Sequence, residues 1–592
     1  MATPYDSEPV DRLPFGSPEK AARYATERYL GATGLNWWRC DPTLQFLMRY
    51  HLTGEELAWA EPHLDRMGAL MGGPVAERAD TTDKNPPRLE RYDRWGHDIS
   101  QVVLPPTFLE TRRDVLANSF TTPALRNEAS SRGVRLTMLN AAHSYLLNQA
   151  EIGMTCAIGT GGDMVVNLVR AFAPADVRDR VLEKFESGEW VGETVQSLTE
   201  RTGGSDLGEL ETTATPDGDA WRLSGFKWFA SNANGAAWVV LAKPEGATDD
   251  VRGIATFLVL ATRRDGSRNG IHIRRLKDKL GTKAVASGEV EFVDAEAFLL
   301  SGKGAGGSGP ADGKGLARMM EMTNGARLGI AMMGLGCARR ALVEAMCYAR
   351  DRQAFGKALA EQPLMQRKLA ELIVEIEAAQ ALVFDGYDPA HRLRIGAPLI
   401  KLRAARLGIT AASDAIEVHG GNGYVENWPV ARILRDAQVN TIWEGPDNIL
   451  CLDVRRGIER EQADVAFVDR LRAALERAPE GDATTGLVAQ RVDQLAGAIE
   501  RWKGLERTAA EARLFPLAQF MADVYAGALL LELAGFEQRA LGTDRKALIA
   551  RLYARDHLAD QGPFRGIDDP VDEALDRFKD LWDGALVDDR LG

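Results

Sequence analysis

Cysteine is scarce in this chain: its 592 residues include five, at positions 40, 156, 337, 347 and 451, with no CxxC pair among them. An odd and sparse set excludes a disulfide framework and fits reduced thiols. Histidine is also rare, eight in all, and His419, which sits inside a motif, has no partner at ligand spacing, so no metal site is expected. Long apolar runs are missing too. A stretch such as 526–531 falls far short of the ~18–20 residues that cross a bilayer. The opening MATPYDSEPVDRLPFG lacks the basic flank and apolar run of a signal peptide, which leads to the expectation of a cytoplasmic protein. Excess positive charge is absent as well. The net charge of −13 and pI near 5.4 set up a field that repels phosphate backbones and anionic membranes.

What is present is enough apolar material, 45% of residues, for a large core, and enough length for three or four domains. Residues 1–189 read as helical, with three- and four-residue apolar spacing over 123–147 and 175–186 and a polar, proline-containing break at 80–87. The pattern over 190–307 changes to short β runs at 221–231, 237–241, 254–260 and 289–293, with Asp217-Gly218 and Asp265-Gly266 as turns, which reads as an antiparallel sheet domain. SGKGAGGSGPADGKG at 301–315 lacks the spacing of a phosphate loop and reads as a flexible connector. Helical period then returns over 308–458. Leu328, Met332, Leu335, Leu342 and Met346 share one face, and long helices are expected over 360–386 and 393–418, as in an antiparallel bundle. Residues 459–592 hold 18 Lys/Arg against 26 Asp/Glu and form an acidic helical extension. The fold class is α+β multidomain.

Four constellations carry chemistry. Thr199-Glu-Arg-Thr-Gly-Gly-Ser-Asp206 combines two glycines with hydroxyls that can hydrogen-bond a polar ring edge or a phosphate. In Lys227-Trp-Phe-Ala-Ser231 the period-two alternation of a strand puts Phe229 and Ser231 on one face, an aromatic beside a hydroxyl. Arg352-Gln-Ala-Phe-Gly356-Lys357 offers a guanidinium that can fork onto a pyrophosphate, with an aromatic and a turn glycine. The fourth is Glu417-Val-His-Gly-Gly-Asn-Gly-Tyr424, followed by Trp428-Pro429, Arg435-Asp436 and Ile442-Trp-Glu-Gly445. Glu444 there stands between an aromatic and a glycine, where apolar surroundings raise a carboxyl toward the range of a general base. Each motif alone is also compatible with a turn, a core strand, a helix end or a solvated glutamate. Gly334-Leu-Gly336 lies within a helix, not after a strand, so it is no dinucleotide fingerprint.

In this order and spacing the four segments resemble the acyl-CoA dehydrogenase family over roughly residues 90–457. Asn85-Pro-Pro-Arg-Leu-Glu-Arg-Tyr-Asp93, Arg275-Leu-Lys-Asp-Lys-Leu-Gly281, Glu361-Gln-Pro-Leu-Met365 and Cys451-Leu-Asp453 extend the likeness to its AidB-type, alkylation-response branch. The resemblance implies an N-terminal helical domain, a central β domain and a C-terminal bundle, assembled as a dimer or tetramer. It implies FAD held between β domain and bundle, with Phe229 and Ser231 against the isoalloxazine and Thr199 and Ser205 nearby. Arg352, Phe355, Gly420 and Gly421 would grip the diphosphate and adenosine half of FAD, reaching across from a neighbouring subunit, and Arg327 would face the CoA moiety. Glu444 would be the base in α,β-dehydrogenation of an acyl thioester, its N–H and the flavin ribityl hydroxyl polarising the carbonyl. Electrons would leave to a flavoprotein or to oxygen.

Two residues depart from the family pattern. Glu417 replaces a usual Gln and brings negative charge toward the expected diphosphate, which needs neutralising. Pro446 replaces a hydroxyl residue. Two rival activities remain on the same fold. One is a DNA-associated protective flavoprotein, as the AidB likeness implies, which the acidic extension opposes. The other is a flavin oxidase or monooxygenase acting without CoA.

Overall fold

Helix starts in the N-terminal region follow local capping chemistry. The Asp41 carboxylate accepts the Leu44 N–H at the head of α1 (Pro42–His51), and Thr53 and Glu56 close a reciprocal capping box on α2 (Gly54–Leu70). The structure, a computed structural model, describes residues 31–159, 162–248, 250–301, 312–560, 562 and 572–590. The leader reading of the first residues and most of the glycine-rich connector therefore lie outside the described residues.

The chain continues through α3 (Ala76–Lys84), the hairpin β1 (Arg88–Tyr92) and β2 (Asp98–Val103), then α4 (Pro106–Ala117), α5 (Pro123–Arg132), α6 (Leu136–Ala150), α7 (Ile152–Gly159), α8 (Gly162–Phe172) and α9 (Ala175–Glu186). The stretch 123–147, read as one periodic run, is two helices, because Gly133 takes a φ of 68° and ends α5 in the left-handed conformation. The break expected at 80–87 begins later, after Lys84. Pro86 and Pro87 cannot continue a helix and lead into the unanticipated hairpin, which packs along β8 (Ile271–Leu276).

Seven strands form the central sheet: β3 (Thr194–Ser197), β4 (Thr213–Asp217), β5 (Ala220–Ser231), β6 (Ala237–Pro244), β7 (Ala255–Leu260), β8 and β9 (Ser287–Leu299). Six of them run in the order β3-β6-β4-β5-β9-β7, β8 pairs with β9 off this path, and a further β6–β7 pairing closes the path on itself. Most neighbours are antiparallel as expected. The sheet is nonetheless mixed, since β3 and β4 both pair parallel with β6, which neither precedes directly in the chain. β6 reads as a continuous apolar run because both of its faces are covered. Trp238 and Val240 pack with Phe257 and Phe292, while Val239 and Leu241 pack with Leu168, Val177 and Val181 from α8 and α9.

The bundle comprises α10 (Gly315–Asp351), α11 (Pro363–Tyr387), α12 (Gly396–His419), α13 (Pro429–Ala437) and α14 (Asp447–Glu461). All five residues of the expected α10 face are buried. Gly334 and Gly336 are crossing points: a Cβ on Gly334 would stand 2.4 Å from the Ala404 carbonyl of α12, and one on Gly336 2.4 Å from Asn148 of α6. Small residues here let three helices meet at backbone distance.

Beyond the bundle come α15 (Ala463–Leu475), α16 (Ala483–Lys503), α17 (Arg507–Ala512), α18 (Leu514–Leu541), α19 (Arg545–His557), α20 (Glu573–Asp576) and α21 (Phe578–Ala585). By length and composition α18 could cross a membrane, although no single apolar run in it is long. Its apolar side chains are instead buried against α11, α15, α16 and α19, and its buried Glu532 pairs with Arg470 and Arg477 at 2.6 Å each.

Candidate functional site

The 199–206 loop lies against β5 through the Trp228 N–H, which donates to the Thr199 carbonyl at 2.9 Å. The loop is anchored by Glu200, a residue the sequence motif contains but does not single out. Its buried carboxylate accepts the Lys227 ammonium at 2.6 Å and the Glu211 N–H at 2.6 Å, together with the Thr212 hydroxyl. Burial pulls Lys227 down to about 8 against the opposing pull of Glu200, and burial also opposes the ionised Glu200, which Lys227 nevertheless keeps below its ordinary value. A buried ion pair broken at one end leaves an uncompensated charge. Glu200→Gln is expected to cost about 3 kcal/mol, limited because the orphaned lysine can shed its proton, and to lower the urea midpoint at unchanged slope.

Two residues of β5, Trp228 and Phe229, sit opposite one of β9 between the Lys227–Val290 and Ala230–Gly288 pairs, a bulge that simple alternation does not foresee. It turns both aromatic rings outward. Phe229 is 50% exposed, Trp228 and Ser231 are half-buried, and Ser205 is exposed while Thr199 is half-buried. Two cations face this aromatic cluster: Lys277 Nζ lies 3.1 Å from the Trp228 ring centre, and the Arg201 guanidinium 4.4 Å from that of Phe226. An accessible aromatic strand edged with cations and hydroxyls can take a flat ring bearing anionic groups.

The β domain meets the bundle at Arg435-Asp436. The Asp436 carboxylate accepts the Thr282 N–H at 2.6 Å, Arg435 pairs with Asp83 at 2.6 Å and donates to the Leu280 carbonyl, and Arg432 pairs with Asp80 at 2.7 Å. This dipeptide of the long C-terminal motif thus joins the three main regions. Burial and the neighbouring Asp436 push the Glu151 carboxyl up to about 8 at the same junction.

The chain passes from that junction into the Glu444 turn. Glu444 has a φ of 53° and Gly445 a φ of 100°, conformations that cost a non-glycine residue ~1–2 kcal/mol and so need support. The carbonyl of Glu444 accepts Arg327 Nε at 3.3 Å, and Arg327 Nη1 binds Asp453 at 2.5 Å and the Asn324 amide oxygen at 3.0 Å. Arg327 was expected to reach the CoA moiety. It is 2% exposed, and its guanidinium bonds the Glu444 carbonyl, Asn324 and Asp453. The Glu444 side chain is half-buried; desolvation raises its carboxyl, and Lys401 and then Arg327 pull the other way. Pro446 caps α14 with its carbonyl, which accepts the Ile449 and Leu450 N–H groups, and offers no hydroxyl.

A third group gathers at the end of α10. Residues 353–354 and 357–358 pair as a tiny hairpin with Phe355 (φ 53°) and Gly356 (φ 84°) at its tip, the two positive values of a type I′ turn. The Phe355 ring is 96% exposed. Asn422 Nδ2 donates to the Tyr348 hydroxyl at 3.2 Å, and the Arg352 N–H to the Tyr348 carbonyl at 2.8 Å, so the Gly420–Tyr424 turn and Arg352 share this end of the bundle. Gly420 holds a φ of 61°, and neither it nor Gly421 has any atom within 4 Å of where a Cβ would stand. That bare backbone leaves room for a phosphate. Glu417 pairs with Lys368 at 2.8 Å, but Lys368 also pairs with Asp414 at 3.2 Å, so the cation is shared between two carboxylates and one negative charge remains at this end. His419 stacks on Tyr348 at 4.3 Å and bonds the Ala415 carbonyl, a packed core histidine.

A cavity of about 240 Å³ between α9 and the sheet, lined by Asp176, Asp219, Arg264 and Phe298 among others, lies away from Glu444 and Phe229, and Arg264 and Asp219 there pair with each other. Of the predicted residues, Ser205, Phe229, Phe355 and Gly420 are exposed, Thr199, Ser231, Arg352 and Glu444 half-buried, and Arg327 buried.

Three family models match the chain: the adaptive response protein AidB N-terminal domain over residues 31–191, the acyl-CoA dehydrogenase middle domain over 196–295, and the acyl-CoA dehydrogenase C-terminal domain over 313–459. The chain is 32% identical to the putative acyl-CoA dehydrogenase AidB of Escherichia coli K12 over 432 residues, 69% of this chain and 76% of that protein. It is 27% identical to acyl-CoA dehydrogenase family member 11 of Caenorhabditis elegans over 85% of each. Among solved structures, Bd2924 in its apo-form superposes with a TM-score of 0.74 at 27% identity, covering 85% of this chain and 99% of that one. C. elegans ACDH-11 in complex with C11-CoA superposes with a TM-score of 0.81 at 23% identity, covering 95% and 96%.

Proposed function

Because the chain belongs to the acyl-CoA dehydrogenase family, whose members are FAD-dependent oxidoreductases, we propose that it catalyses α,β-dehydrogenation of an acyl-CoA thioester with Glu444 as the base. One observation carries this reading. A half-buried carboxylate with its proton affinity raised by desolvation sits on a left-handed turn held by two buried cations. An acid α to a thioester is weak, so the base must be stronger than an ordinary carboxylate and the carbonyl must be polarised as the proton leaves. In this reading the Glu444 carboxylate removes the α-proton while its own N–H donates to the thioester oxygen.

The residues present fit FAD: bare glycine backbone at 420–421 and an outward aromatic strand beside hydroxyls. Phe229 and Ser231 would lie against the ring system, Thr199 and Ser205 would bond its polar edge, and Arg352, Phe355, Gly420 and Gly421 would hold the diphosphate and adenosine. FAD, when bound, supplies the acceptor for the β-hydride. The purified protein should be yellow, and anaerobic addition of acyl-CoAs of graded chain length should bleach it. A colourless protein, or one no acyl-CoA bleaches, would reject the proposal.

A dimer or tetramer belongs to the same reading. Phe355, Leu364 and Tyr424 are 96%, 88% and 88% exposed around the proposed adenosine end, an apolar surface suited to a second copy of the chain. Replacing Phe355 and Tyr424 together by Ser should weaken self-association about tenfold or more in sedimentation velocity and release FAD on dilution.

One alternative, which the AidB likeness implies, is a DNA-associated protective flavoprotein that binds duplex DNA. Against it, extension cations are largely spent on acids: Arg470, Arg472, Arg477, Arg491, Lys503, Arg551 and Arg577 all pair with carboxylates. Few are left to release counterions from phosphate. Salt-sensitive duplex binding in a gel-shift series would reverse this preference.

A further inference from the structure

Beneath the Glu444 turn lies a cation that no motif marks. Lys401, in the second turn of α12, is fully buried, and its ammonium donates to the carbonyls of Trp443 at 2.7 Å and of Gly445 at 2.5 Å. These are the two residues flanking Glu444, and Arg327 takes the carbonyl between them. Three consecutive carbonyls are thus turned onto two buried cations, while the carboxylate side chain stays half-exposed. A methionine of similar length would fill the space without the cost of desolvating an ammonium. A charge kept there in spite of that cost needs a use.

We infer that Lys401 is a positioning residue for Glu444: its ammonium holds the left-handed turn that presents the carboxylate, and its charge acts on the carboxylate it presents. The inference rests on the reading of Glu444 as the base. The charged groups around the turn differ in what they leave available. Arg327, from α10, is matched by Asp453 of α14, which Arg394 also binds at 2.9 Å. Asp447, at the head of α14, is matched by Arg406 of α12. Lys401 is hydrogen-bonded to neutral carbonyls, so its charge remains for Glu444. Burial brings Lys401 down to about 8, with Glu444 and Asp447 supporting its charge and Arg327 opposing it. It is therefore the cation at this turn that can lose its proton near neutrality, whereas a guanidinium cannot. The sign follows. Below about 8 the ammonium is present and lowers the proton affinity of the Glu444 carboxylate, keeping it ionised. As pH rises through that value the charge is lost, but the carboxylate is by then ionised and a neutral amine still donates to both carbonyls, so kcat should show no fall there.

The test compares Lys401→Met and Lys401→Arg with the parent protein, each checked for a cooperative melt and for flavin content. For Lys401→Met, kcat should fall about 10- to 100-fold with KM little changed, and the Glu444 carboxyl should titrate about one unit or more higher. That titration is read by infrared difference between each protein and its Glu444→Gln counterpart, and needs neither FAD nor substrate. Lys401→Arg, which keeps the charge and can donate to the same carbonyls, should restore most of kcat and the parental carboxyl titration. A folded, flavin-loaded Lys401→Met with parental kcat and parental carboxyl titration would overturn the inference. If that variant does not fold, Lys401→Gln takes its place, and parental kcat and carboxyl titration in it would overturn the inference instead. Should the parent protein show no bleaching with any acyl-CoA, the base assignment falls, while the infrared shift still decides whether Lys401 governs Glu444.

Discussion

Glu444→Gln is expected to leave the protein folded and yellow while removing at least ~10³-fold of its acyl-CoA-dependent flavin bleaching. Gln keeps the volume and the left-handed turn, since the support for that turn comes from Arg327 and Lys401 acting on backbone carbonyls, and those bonds do not depend on the side chain. The amide cannot accept the α-proton. The effect should therefore fall on kcat and not on KM, and the backbone N–H at 444 should still orient the thioester. In the parent protein the acid limb of kcat/KM should lie above the ordinary glutamate range, because desolvation outweighs the two cations. Activity is lost as pH falls and the carboxylate takes up a proton, and this limb should be absent from the residual rate of the variant. A parental bleaching rate in Glu444→Gln would remove the base from the mechanism, and leave the infrared titration to decide whether Lys401 governs the Glu444 carboxyl.

The chemistry-bearing stretches were legible because each is short and continuous in the chain. Thr199 to Asp206, Lys227 to Ser231 and Trp443-Glu-Gly445 each carry their residue types side by side, so spacing alone brings hydroxyls, aromatics or a carboxylate together. The groups that support them were not legible, since their partners are distant in sequence. Lys401 reaches a carbonyl 42 residues away, Glu200 and Lys227 lie 27 apart, and Arg327 and Asp453 lie 126 apart. The contact of Glu417 with Lys368 is likewise a pairing across 49 residues, on two adjacent helices. Periodicity located the long bundle helices and the apolar strands. It missed the β1–β2 hairpin, whose Arg88-Leu-Glu-Arg-Tyr92 strand is polar and charged, and it could not see the β5 bulge, which arises from pairing with β9 and not from composition.

The same long-range logic governs how the acidic extension is attached, and it leads to the largest stability effect expected in the molecule. Glu377, buried on α11, receives Arg545 at 2.5 Å and Lys546 at 2.6 Å from the head of α19, and Lys546 also donates to Thr43 of α1. One carboxylate thus ties extension, bundle and N-terminal region together. Burial alone would raise its affinity for a proton, but Arg545 and Lys546 overcome this and hold it at about 2, against an ordinary 4.5. A lowered carboxylate stabilises the fold fully above its unfolded value and loses that contribution as pH drops through its folded value. This one should contribute about 3 kcal/mol near neutrality, lost between roughly pH 4.5 and 2. Glu377→Ala goes further, because Arg545 cannot shed its charge and is left buried beside Lys546; a cost of about 5 kcal/mol is expected. Urea unfolding from pH 7 to 3 should show the parent weakening through the acid window and the variant, already weaker, responding less to pH there. Parallel curves would mean that the apolar packing of α18, and not this ion cluster, sets how the extension is held.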